Sequence, residues 1–275
     1  MLSQYAVFGN PIAQSLSPLI HQAFAKQCNQ PIEYQRQLVE LGKFEAAASQ
    51  FFNAGGEGLN ITAPFKLDAF QFADQLSERA KCAGAVNTLI AEHSKIKGDN
   101  TDGHGLLTDI QNNLQWNIAA GRVLILGAGG AVRGILEPLI AAIPASIVIA
   151  NRTTEKAQTL VQLFEEYAQS ESVELSAQDF ESLSGHFDII INGTSASLSG
   201  ESLPIGVDNF DNVLCYDMMY AKAPTPFLQL AAKHGAKSVA DGLGMLVEQA
   251  AESFYLWRGV RPDTAALIQS IRAGL

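Results

Sequence analysis

Short apolar runs alternate with amphipathic stretches along almost the whole chain, the pattern of strands alternating with helices in an α/β protein. The first run, residues 5–8, is closed by Gly9-Asn10-Pro11. Ser17-Pro18 predicts a helix start, with Ser17 as N-cap and proline where its missing N–H costs nothing. Ile20, Phe24 and Cys28 then recur at helical spacing. Further strands are expected at 32–38, 58–62, 86–91 and 95–97, the last two as a pair, and a helix at 44–53. From Asn100 the texture changes: a helix near 105–113 leads to 122–126, a branched apolar run suited to a strand buried on both faces. Strands at 146–150, 188–192, 213–216 and 237–239 continue the series. Helices are expected up to 142, over 153–167 and 245–257, and at 262–273.

The chain has 275 residues, enough for one large domain or two modest ones. The reading divides it into two, an N-terminal α/β substrate domain over 1–102 and a doubly wound domain over 103–242. Residues 243–275 are read as returning to the first domain. No apolar run approaches the ~18 residues of a membrane span, and the start lacks the pattern of a secretory signal. Cys28, Cys82 and Cys215 are odd in number and far apart, which fits a reducing cytosol and offers no metal-ligand spacing. Lys and Arg total 18 against 28 Asp and Glu, a net charge of −10 that argues against a nucleic-acid partner. An anionic small molecule must therefore be held by a few local cations and backbone dipoles.

One glycine cluster sits where dipoles of that kind are useful. The strand at 122–126 runs into Gly127-Ala128-Gly129-Gly130-Ala131-Val132 and then a helix. This context allows a tight turn, close approach of a pyrophosphate to backbone, and N–H groups aimed at phosphate. Val132 departs from the strict G-x-G-x-x-G/A form. At the end of the next strand an NAD site places Asp or Glu against the ribose, about 20 residues past the first glycine. The sequence there reads Asn151-Arg152-Thr153-Thr154-Glu155-Lys156. A guanidinium at 152, a hydroxyl at 153 and an ammonium at 156 suit the 2′-phosphate of NADP, although the same residues would also make an ordinary exposed helix start.

Two polar segments carry residues that the fold alone does not require: Asn60-Ile61-Thr62-Ala63-Pro64-Phe65-Lys66 and Gly98-Asp99-Asn100-Thr101-Asp102-Gly103. Hydride transfer to or from a secondary alcohol also moves a proton at its oxygen, and a lysine with an aspartate converging there suffices. Lys66 is read as the proton donor and Asp102 as its orienting partner; singly, they would pass for a surface lysine and a helix cap. Ser15 and Ser17 offer hydroxyls for a carboxylate at a helix start, and Asn87-Thr88 supplies further donors and acceptors.

Together these motifs are identified as those of the shikimate dehydrogenase family. The resemblance rests on Gly9-Asn10-Pro11-Ile12, Ser15-Leu16-Ser17-Pro18, the 60–66 segment, Gly84-Ala85-Val86-Asn87-Thr88, Asn100-Thr101-Asp102-Gly103, the glycine cluster, Asn151-Arg152-Thr153, and 242–251. It implies a cytosolic, NADPH-dependent reduction of 3-dehydroshikimate to shikimate, on the chorismate route to aromatic amino acids, across a cleft between a substrate domain and a Rossmann-like domain. It implies catalysis by Lys66 and Asp102 and substrate binding by Ser15, Ser17, Asn60, Thr62, Asn87, Tyr220 and Gln249. NADP would be held by Gly127, Ala128, Gly129, Gly130, Ala131, Asn151, Arg152, Thr153 and Lys156, with Met218 and Gly242 beside the nicotinamide and Glu78 near the cofactor. The assembly expected is a monomer or homodimer without a metal. Gln14, Gln22 and the 219–224 loop depart from the family pattern and bear on the choice between shikimate and quinate. An NAD-using quinate/shikimate enzyme would place an acid where Arg152 stands, and a ligand sensor without turnover would lack Lys66 or Asp102.

Overall fold

The computed structural model describes residues 2–194 and 203–275. Contacts divide the chain into one unit of Met1–Gly105 with Val247–Ser270 and another of Leu106–Leu246 with Ile271–Leu275. Sequence reading put the divisions at 102 and 243. In the contacts each falls a few residues later, inside a helix, because neither helix is broken where the sheets end. The last five residues group with the second unit, where Arg272 ion-pairs with Asp241.

In the first unit, strands β1 (Ser3–Gly9), β2 (Ile32–Leu38), β3 (Gly56–Ile61), β4 (Gln75–Leu76), β5 (Thr88–Glu92) and β6 (Lys95–Asp99) are ordered β2-β1-β3-β5-β6-β4. β1 runs parallel to β2 and β3, while β5 is antiparallel to β3 and β6. Successive side chains of β1 point to opposite faces, and both faces are covered. Ala6 and Phe8 join a core with Phe44 and Phe65, from α2 (Phe44–Asn53) and the turn before α3 (Lys66–Phe72). Tyr5 and Val7 face Ile12 and Tyr34. On that side, Phe24 of α1 (Ser17–Gln27) packs edge-on to Phe254. Trp257, on the same helix as Phe254, lies where a side chain at Gly58 would stand, and its indole N–H donates to the Leu89 carbonyl. This glycine lets the returning helix seat on the sheet.

α1 begins at the expected position, but its cap is not the expected one. Leu16 is the N-cap residue and makes no side-chain cap bond, while Ser15 Oγ accepts the Ser17 N–H at 3.3 Å. Ser17 is thus inside the helix, with its hydroxyl left for other partners. α4 (Glu78–Ala83), capped by Ser77, completes the helices that lead to β5.

The second unit holds β7 (Arg122–Leu126), β8 (Ser146–Ala150), β9 (Glu174–Gln178), β10 (Ile189–Asn192), β11 (Leu214–Asp217) and β12 (Ser238–Asp241). They are ordered β12-β11-β10-β7-β8-β9, every neighbouring pair parallel. All of β8 and β10, and β7 after Arg122, are buried, as a sheet covered on both faces requires. The helices are α5 (Asp102–Thr108, running on into a π-helical turn Asp109–Asn113), α6 (Gly130–Ala141), α7 (Thr154–Ser170), α8 (Pro226–Lys233), α9 (Leu243–Arg258) and α10 (Ala265–Gly274). α5, α9 and α10 each begin in one unit and end in the other. The winding reverses between β7 and β10, and the loop after β7 opens at that switch point.

Candidate active site

In the first unit, β3 ends at Ile61, and one turn of chain carries it to Lys66 at the first position of α3. β6 ends at Asp99, and Asp102 opens α5. Lys66 Nζ stands 2.5 Å from Asp102 Oδ2, with the side chains 33% and 15% exposed, so the pair is open to a small molecule. Asn100 Oδ1 accepts the Asp102 N–H at 3.1 Å, a capping bond that spares the Asp102 carboxylate for other work. The other carboxylate oxygen, Oδ1, accepts from Asn87 Nδ2 at 2.9 Å.

Asn87 is the centre of the arrangement. Its amide nitrogen also lies 2.9 Å from Thr101 Oγ1 and 3.3 Å from Gln249 Oε1. The Thr101 hydroxyl also lies 3.4 Å from Gln249 Oε1, so Gln249 belongs to the same cluster of side chains. Asn60, at the end of β3, donates to Ser253 Oγ at 3.1 Å and accepts from the Tyr34 phenol at 2.7 Å. Tyr34 in turn adjoins Ser17, and burial pushes its phenol well above the usual range. Ser15 Oγ donates to Ser17 Oγ at 3.1 Å. Ser15, Ser17, Tyr34, Asn60, Ser253, Asn87, Gln249, Asp102 and Lys66 therefore form one continuous polar network within this unit. Thr62 lies one residue past β3, where its methyl would clash with any side chain at Gly9.

Tyr34 and Ser253 were not among the sequence candidates. Tyr34 had a signal, the lone aromatic among the polar residues 33–37 of its strand; Ser253 had one too, four residues beyond Gln249 on one helix face.

Behind the network lies a set of charges. Arg79 Nε meets Asp99 Oδ1 at 2.6 Å and its Nη2 meets Glu252 Oε1 at 3.0 Å. Arg261 and His104 also reach Glu252. Burial works to raise the Asp99 carboxyl, but the Arg79 bond and charge, Ser77 and the Asn100 N–H hold it below its usual value. Arg79 thus ties the end of β6, just before Asp102, to the helix that carries Gln249.

In the second unit Gly127 has φ +105°, a backbone state that side chains rarely adopt. Gly129 is the N-cap of α6 without a side-chain cap bond, and nothing stands within 4 Å of where a Cβ would lie on Gly129 or Gly130. This is an open cradle of backbone N–H groups, and it fits a dinucleotide phosphate. Ala128 and Ala131 complete the loop. Arg152 and Lys156 are exposed at the turn from β8 into α7, and Asn151 Nδ2 holds that turn by donating to the Thr153 carbonyl at 2.8 Å. Among the described residues no carboxylate forms an ion pair with Arg152. Met218 follows β11, and its backbone is so close to Gly242 that no side chain fits there. Tyr220 is half-buried in the same loop, its phenol raised by burial and by the Asp241 charge. Glu78 lies in the first unit, highly exposed and ion-paired with Lys81, whereas the other cofactor candidates belong to the second.

Residues 7–89 match the family model described as the shikimate dehydrogenase substrate binding domain. Residues 109–199 match shikimate / quinate 5-dehydrogenase, and 242–272 match the shikimate 5′-dehydrogenase C-terminal domain. A shikimate dehydrogenase (NADP(+)) of Saccharophagus degradans is 55% identical, over 98% of this chain and 99% of its own. The chain belongs to the shikimate dehydrogenase family. A second shikimate dehydrogenase (NADP(+)), of Cellvibrio japonicus, is 53% identical over 100% of this chain and 99% of its own. Among solved structures, the shikimate 5-dehydrogenase of Thermus thermophilus in complex with NADP(H) and shikimate is 29% identical with a TM-score of 0.87, covering 100% of both chains. The two-domain α/β architecture with a parallel Rossmann-like sheet is that of the family. No helix among the described residues is long and apolar enough to cross a membrane.

Proposed function

We propose that this chain is an NADP-dependent oxidoreductase that reversibly reduces 3-dehydroshikimate to shikimate, a step toward chorismate and the aromatic amino acids, in the cytosol. The observation that carries the reading is the Lys66 ammonium 2.5 Å from the Asp102 carboxylate, joined through Asn87 to a row of hydroxyls and amides. The curated relatives named for this activity support it over the full length of the chain.

Bound NADPH supplies the hydride to the carbonyl carbon. As negative charge develops on the carbonyl oxygen, the Lys66 Nζ donates a proton to it, while Asp102 keeps that ammonium aimed and accepts a hydrogen bond from the product hydroxyl. Asn87 fixes the carboxylate by holding its second oxygen. Gln249 and Asn60 bind neighbouring ring hydroxyls, and Thr62 and Tyr220 add further contacts. The ring carboxylate sits at the open start of α1 on Ser15 and Ser17. The loop from Gly127 to Ala131 takes the pyrophosphate on backbone N–H groups. Arg152, with Thr153, Asn151 and Lys156, takes the 2′-phosphate, and Met218 and Gly242 border the nicotinamide. Glu78 lies near the cofactor on this reading, with its carboxylate also paired to Lys81. On this reading the first unit is the substrate domain and the second the NADP domain.

The test is a side-by-side kinetic comparison of shikimate and quinate against NADP+ and NAD+. Shikimate with NADP+ should give the highest kcat/KM. A preference for NAD+, or no turnover of shikimate with bound cofactor, overturns the reading.

A further inference from the structure

We propose that Arg36 is a further substrate-binding residue, its guanidinium engaging the ring carboxylate beside the hydroxyls of Ser15 and Ser17. The inference rests on the reading above, that the substrate is a cyclic carboxylate, and adds the cation that the cradle otherwise lacks.

Arg36 stands on β2 two residues beyond Tyr34, so the two share one face of the strand. Tyr34 reaches Ser17 and Asn60 from that face. Arg36 continues the row: its Nε donates to the Ser15 carbonyl at 2.9 Å. That single bond occupies Nε, and the Nη donors, which make no ion pair or side-chain hydrogen bond among the described residues, are left for an acceptor near Ser15.

The other arginines of the first unit are committed elsewhere. Arg79 pairs with Asp99 and Glu252, Arg258 with Glu57, and Arg261 with Glu252. Among the described residues no carboxylate pairs with Arg36. In a chain of net charge −10, an arginine fixed to the carboxylate loop and left without an anion of its own is placed to take one from a ligand.

The experiment compares shikimate with its uncharged methyl ester in the wild-type enzyme and in Arg36→Met and Arg36→Lys. Arg36→Met should lower the ratio of kcat/KM for acid over ester by roughly tenfold, the loss of a charge-assisted bond, chiefly through KM for the acid. Arg36→Lys should recover part of it, and NADP+ affinity should not move. An equal loss for acid and ester would mean that Arg36 merely braces the Ser15 loop, and would overturn the proposal, as would no loss at all. Calorimetric titration of shikimate without cofactor separates this proposal from the parent reading. Binding that weakens in Arg36→Met supports carboxylate recognition even if the wild type fails to turn shikimate over. A wild type that does not bind shikimate sinks both.

Discussion

His21 is fully buried, its ring stacked on Tyr34 at 4.3 Å, and burial pushes its imidazole down to about 3 against a smaller opposing pull from Asn60. The folded protein keeps this ring neutral, while the unfolded chain takes up a proton below a pH of about 6.5. Stability is therefore full above that value and falls as pH drops, by up to about 1.4 kcal/mol per unit from this group. Burial lowers His104 as well, so the difference between variants is what counts. Urea midpoints measured from pH 7 to 5 should fall less steeply in His21→Phe than in the wild type; parallel slopes would remove His21 from the acid response. At this scale the catalytic candidates were legible because Lys66 and Asp102 stand in unusual polar segments that local folding does not demand. Arg36 was not, because a residue on the exposed part of an edge strand looks merely solvated until Ser15 is in place beside it.

Secondary elements were read well in buried apolar runs, and also on the mostly exposed strand at 32–38. Strands at Ile32–Leu38, Arg122–Leu126 and Ser146–Ala150 and the helix at Phe44–Asn53 stand at their expected bounds. α3 and α4, at seven and six residues, are too short to show a period, and β9 carries Glu174-Leu175-Ser176-Ala177-Gln178, with one large apolar residue. α8 had a signal in Thr225-Pro226, and there Thr225 is the N-cap, accepting from Leu228 N–H, whereas at Ser17-Pro18 the similar pair lies inside the helix. The turns after β7 and β8 carry two predictions. Gly127→Ala forces a side chain into φ +105°, beside Thr194 and Gly193, and should cost about 1–3 kcal/mol with loss of NADP+ affinity. Thermal melting with and without cofactor would show it, and an unchanged midpoint would mean the loop tolerates a side chain. Arg152→Asp should weaken NADPH far more than NADH in direct titrations; equal losses would take Arg152 off the 2′-phosphate.

For the whole molecule, the order of strands around β7 and the separate network around Asn87 give each unit one task on the proposed reading. The alternation of strands and helices made that division readable. Its limits were not, because α5, α9 and α10 run through them and the sequence marks helices, not the partners they pack on. A ligand that binds only the folded chain stabilises it, and NADP+ at about 100 times its Kd adds about 2.7 kcal/mol. Calorimetry should show the wild-type midpoint rising by several degrees and that of Arg152→Asp barely moving at the same concentration. Most direct is the steady-state oxidation of shikimate by NADP+ in Lys66→Ala. The account predicts a kcat lower by about 10²–10⁴, the contribution of a positioned acid or base, with NADP+ affinity nearly unchanged. A kcat close to wild type would contradict it.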